Sequence, residues 1–102
     1  MKFPLGRITV QDHAARFLEL SGQDADFFLD KHAAGDWGED NAARNERALL
    51  DGYMVMSTYR TLRGQKLFVL TTADRSETRV WCAWPEIKLV PLPDRMPTRE
   101  VP

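Results

Sequence analysis

His32, Tyr59, Asp74 and Arg75 are the side chains of this 102-residue chain whose types could move a proton or steady a charge. A histidine or tyrosine can serve as general acid or base, and an arginine can hold the oxygens of a phosphorane-like transition state. With the hydroxyls of Ser57, Thr61, Thr71 and Thr72 nearby in sequence, they make the parts of a small metal-independent ribonuclease. That chemistry requires His32, Tyr59 and the Asp74–Arg75 turn to converge on one scissile phosphate. His32 also has a simpler, structural reading. It follows Phe28 and Leu29 by four and three residues, on the apolar stripe of a helix, where a half-buried imidazole bonds a carbonyl or Asp36.

Other chemistries find less support. His13, His32 and Cys82 are the soft ligands, at no metal-site spacing, so no metal or other cofactor is expected. Acidic residues at Asp36, Glu39 and Asp40 suit a helix start better than a magnesium site. Phosphate-cradling glycine loops and nucleophile elbows are absent. A helix-turn-helix reader would need its second helix in a phosphate-lined groove, yet that segment carries Asp24, Asp26 and Asp30. For a partner surface the candidates are Trp37, Trp84 and Arg60. Tryptophan and arginine are the residues most enriched at binding hot spots.

The elements that must position these residues follow from periodicity. "GRITV" reads as a short strand. Three helical stretches follow. The first runs from Asp12, as cap, to Gly22, with Ala14, Phe17, Leu18 and Ser21 on one stripe. The second runs from its cap Asp24 to Gly35, with Ala25, Phe28, Leu29, His32 and Ala33 inward. Asp36 and Glu39 resemble a capping box for the third, which has a thin stripe of Ala42, Asn45, Ala48 and Leu49 and closes at Gly52. "YMVMSTYRT", "KLFVLTT" and "TRVWCAW" are then strands joined by turns too short for parallel crossovers. The middle one is apolar on both faces and is expected to be covered on both.

Residues 1–84 are therefore expected to form one α+β domain: a short N-terminal strand, three helices, and a three-stranded antiparallel meander with the helices on one face. The proline-rich residues 85–102 read as an extended tail. The single cysteine excludes an internal disulfide and fits a reducing cytoplasm, and no apolar run is long enough for a membrane. Net charge is −1, but residues 1–52 hold six Lys/Arg against ten Asp/Glu, and residues 53–102 hold eight against five. A polyanion, if one binds, belongs on the later, strand-rich half.

"HAAGDWGED", Asn45 with "AL", "STY" and "TTADRSET", in that order, resemble a group of small proteins of plasmids, phages and integrated elements known as plasmid-related proteins. The shared pattern is His-x-x-Gly-Asp-Trp-Gly followed by Ala-Asp-Arg-Ser, and the likeness runs from about Gly6 to Val80. It implies a cytoplasmic protein of a mobile genetic element and brings no settled activity. It marks His32, Gly35, Asp36, Trp37, Gly38, Asn45, Tyr59, Asp74, Arg75 and Thr78. After Val80 the chain departs from the pattern. Element order alone also resembles the barnase- and RelE-like nucleases. The expectation is a non-enzymatic accessory protein that binds a macromolecule in element maintenance or anti-defence. A protein partner comes first, nucleic acid through the basic half second, and a ribonuclease toxin is the alternative.

Overall fold

Three ten-residue helices each end where a glycine takes the left-handed conformation: α1 (Asp12–Ser21) at Gly22, α2 (Ala25–Ala34) at Gly35 and α3 (Ala42–Asp51) at Gly52. In this computed structural model, which describes residues 1–38 and 41–82, the helical stretches match the periodicity of the sequence. Their starts match less well. Asp24 caps α2 as expected, accepting from the Asp26 backbone N–H at 3.2 Å. Asp12 does not cap α1. It lies in the first turn, and Gln11 holds the cap position while its side-chain oxygen accepts from Cys82 N–H. Nor does Asp36 cap α3. Its carboxylate pairs with Lys31 at 3.0 Å, and Asn41 stands at the start of α3; Glu39 lies outside the described residues.

β2 (Val55–Arg60), β3 (Lys66–Thr71) and β4 (Glu77–Cys82) form the antiparallel meander that short turns dictate. The N-terminal strand β1 (Arg7–Val10) is not separate from it. It lies parallel to β4, giving one mixed sheet in the order β1-β4-β3-β2. Arg7 N–H to Ser76 O and Gln11 N–H to Val80 O fasten the two ends of β1. Four residues of alternating character do not encode which edge they join, so this pairing had no signal in the sequence.

One face of the sheet is the core. Val55, Ser57, Tyr59, Leu67, Val69, Thr71, Thr78, Val80 and Cys82 alternate along three strands, and all are buried. Ala14 and Leu18 of α1 and Phe28 and Leu29 of α2 pack on the centre of this face; Phe3, Trp37 and Ala48 pack on Val55. The other face of the sheet is less enclosed among the described residues. Phe68 and Leu70 are only half-buried there, and neither core cluster includes them.

Candidate functional site

His32 has no exposed surface, and both its ring nitrogens are engaged. Nδ1 lies 2.6 Å from Ser57 Oγ on β2, and Nε2 lies 2.9 Å from Thr71 Oγ1 on β3. Thr71 Oγ1 is 2.7 Å from Thr78 Oγ1 on β4, and the Thr78 hydroxyl donates to the Leu5 carbonyl at 2.6 Å. The last bond fixes all the others. A carbonyl only accepts, so the single Thr78 proton points to Leu5 and Thr78 must accept from Thr71. Thr71 then has no proton left for the ring and accepts from Nε2–H. Nδ1 is bare in that neutral ring and accepts from the Ser57 hydroxyl. Burial, with a smaller push from the Arg75 charge, lowers the imidazole pKa to about 4, which keeps it neutral near pH 7. One directed chain of hydrogen bonds therefore runs beneath the sheet from β2 to the segment before β1.

The Gly-Asp-Trp-Gly stretch closes the outer edge of β2. Trp37 O accepts from Thr58 N–H at 3.1 Å, and Gly38 forms an isolated parallel bridge with Thr58. Gly38 is required by this approach: its φ is +78°, and a Cβ there would collide with the Thr58 carbonyl oxygen. One step along, Asn45 of α3 accepts from Met56 N–H at 3.1 Å and donates to Met56 O at 2.7 Å. Asn41 donates to Trp37 O and Thr58 Oγ1. Side chains and a loop thus occupy an edge that would otherwise template aggregation.

The Ala-Asp-Arg-Ser turn is a second clamp. Asp74 accepts from the Thr72 hydroxyl and from the Ser76 hydroxyl and backbone N–H; these bonds, the Ser76 hydroxyl foremost, lower its pKa. Arg75 sits at φ 62°, unusual for a residue with a side chain, and its guanidinium donates to Tyr53 O, Thr72 O and Ala48 O. Two of those carbonyls, Ala48 and Tyr53, flank the C-terminus of α3, where a cation also meets the negative end of the helix dipole.

The four catalytic candidates are therefore all held by their own fold. Phe3 touches both His32, edge-on at 5.2 Å, and Arg75, whose guanidinium lies 5.6 Å from the ring centre. The Tyr59 hydroxyl donates instead to Asp36 O at 2.6 Å. Burial, against a lowering bond with Ser57 and with help from Asp36, pushes Tyr59 up to about 12. Because His32 is fully enclosed, no substrate atom reaches its nitrogens unless the fold opens. Cys82 is likewise buried, its thiol pushed up to about 11 by burial, which suppresses the nucleophilic thiolate. Among the described residues no group of three His, Cys, Asp or Glu could hold a metal ion.

Of the partner candidates, Trp37 is 3% exposed and belongs to the core, although its indole N–H has no hydrogen-bond partner among the described residues. The Trp37 ring, a candidate contact by residue type, clusters instead with Phe3, Ala48 and Val55. Arg60 is exposed on the second sheet face and donates to Gly64 O. Trp84 and the tail lie outside the described residues.

That second face of the sheet is a surface the sequence did not mark. Strand register places Arg7 and Thr9, Glu77, Arg79 and Trp81, Lys66, Phe68 and Leu70, and Met56, Thr58 and Arg60 on it. Phe68 and Trp81 are direct cross-strand partners, with ring centres 5.4 Å apart. Glu77 takes two bonds from Arg79 and lies 3.9 Å from Arg7. The alternation of "KLFVL" and "TRVWC" held the signal, but only the register makes the two rings neighbours. No helix of the described residues is long and apolar enough to cross a membrane. Comparison with protein-family models, with curated proteins and with solved structures finds no match to this chain.

Proposed function

We propose that this chain is a non-enzymatic binding module, an accessory protein of a plasmid or phage that acts in element maintenance or anti-defence by docking a macromolecule. The observation that carries the reading is the engagement of His32, Tyr59, Asp74 and Arg75 in internal hydrogen bonds, beside a sheet face that presents half-buried aromatic side chains among basic ones. A group whose donors and acceptors are all satisfied inside the fold holds a shape; it is not poised to exchange protons with a substrate. The likeness to plasmid-related proteins supports the mobile-element setting, and on this reading its marked residues are a folding signature.

Induced expression, with total RNA followed alongside growth, separates this reading from a ribonuclease toxin built on His32, Tyr59 and Arg75. A binding module leaves RNA intact and cells growing. RNA cleavage that disappears on Tyr59→Phe, in a variant shown by circular dichroism to be folded, would establish the nuclease instead.

A further inference from the structure

The second sheet face combines two features that solvation alone does not require. At its centre Phe68 and Trp81 stand side by side on β3 and β4, their planes inclined by 32°, and Leu70 and Met56 extend the apolar strip towards β2. Around that strip lie Arg7, Arg60, Lys66 and Arg79. Glu77 is the one acid among the strand residues of this face, so four cations against one carboxylate leave +3 on a chain whose net charge is −1. Beside Trp81 opens a groove of about 410 Å³, lined among the described residues by Thr9, Gln11, Arg79, Val80 and Trp81.

We propose that this face binds single-stranded nucleic acid, with bases stacked on Phe68 and Trp81 and phosphates drawn to Arg79, Lys66 and Arg60. The proposal rests on the reading of the chain as a binding module and names its partner class. Flat rings edged by cations suit unpaired bases, whose faces are open, while a duplex hides those faces inside its stack. An acidic protein surface would satisfy the cations, but a single-stranded nucleic acid repeats an anionic phosphate and a planar base in every unit. The groove beside Trp81 falls in the size range of small-ligand pockets and so admits a single base.

The test uses the full chain and fluorescein-labelled oligonucleotides of about twelve residues, in DNA and RNA forms, against a duplex of the same length. Anisotropy should report binding to single strands, with the duplex at least tenfold weaker. Trp81→Ala should weaken binding about tenfold, as loss of one stacking platform does. Raising salt from about 50 to 200 mM should give a log–log slope near −2, the value for about three neutralised phosphates on a single strand. Lys66→Glu, a surface change that leaves the core untouched, keeps the test open if Trp81→Ala fails to fold, and it should weaken binding to a similar degree. No single-strand binding at about 100 µM protein, the weak end of non-specific association, overturns the proposal. Equal affinity for duplex, or binding indifferent to Lys66→Glu, does the same. A photo-crosslinker placed at position 66 in cells separates the two levels. A protein adduct without nucleic acid overturns the partner class and leaves the binding module standing, and no macromolecular adduct at all overturns both.

Discussion

His32 Nε2 donates to Thr71 Oγ1 at 2.9 Å, which places a proton on that nitrogen, and burial keeps the other nitrogen bare near pH 7. The consequence is a pH dependence with a definite sign. The imidazole pKa falls from 6.5 in the unfolded chain to about 4 in the fold, so the unfolded state binds the proton first. Stability from this group is fully present above pH 6.5 and is lost as pH falls towards 4, by about 3 kcal/mol over the window. Urea midpoints measured across that range should slope accordingly, and the slope should be shallower in His32→Gln, where only the carboxylates still titrate.

Truncating the same side chain tests its packing. His32→Ala leaves Ser57 without its acceptor and Thr71 without its donor in a buried site, and opens a cavity as well. A loss of about 3 kcal/mol or more is expected in chemical unfolding. A loss below about 1 kcal/mol would mean that the chain of hydrogen bonds is not a fold determinant.

Gly38→Ala and Gly22→Ala make a matched pair. Both sites have positive φ, but a Cβ at Gly22 meets nothing within 4 Å, whereas one at Gly38 runs into Thr58 backbone. Gly22→Ala should cost about 1 kcal/mol, the ordinary penalty of that conformation. Gly38→Ala should cost clearly more and expose the β2 edge, read as a lower thermal midpoint and concentration-dependent aggregation.

The outline of the fold was legible in the chain because its signals are local. Helix stripes, glycine stops and short turns are properties of neighbouring residues, and they gave α2 with His32 facing inward as the structure has it. What was not legible depends on partners far apart. The parallel pairing of β1 with β4 joins residues about 70 apart, such as Arg7 and Glu77. Gln11 holds the α1 cap position, where Asp12 was expected, while its side chain answers Cys82 across the sheet. Trp37 reads equally well as plug or contact until Phe3 is known to cover it. For His32, Tyr59, Asp74 and Arg75, residue type alone does not distinguish a proton shuttle from a clamp.

Asn45→Asp isolates the clamp on the β2 edge. Asn45 is fully buried and both donates to and accepts from the Met56 backbone, a role an acceptor-only carboxylate cannot fill. The near-isosteric change should destabilise by about 3 kcal/mol at pH 7, since it buries a charge against a carbonyl. Denaturation at pH 4 beside pH 7 checks the cause, because protonating the new carboxyl restores a donor and should recover part of the loss.

Arg75→Lys tests the other clamp. One ammonium cannot serve the three carbonyls of Ala48, Tyr53 and Thr72 that the guanidinium fork reaches. A loss of about 1–2 kcal/mol is expected in urea unfolding, with single-strand binding per folded molecule unchanged.

Nitrogen-detected NMR of the imidazole separates a neutral hub of the fold from a catalytic group at His32. A neutral hub shows a single tautomer with the proton on Nε2 from pH 8 down to pH 5.5, a slowly exchanging Nε2–H, and no response to added oligonucleotide. An imidazole that titrates near 6.5, or carries its proton on Nδ1, would contradict it.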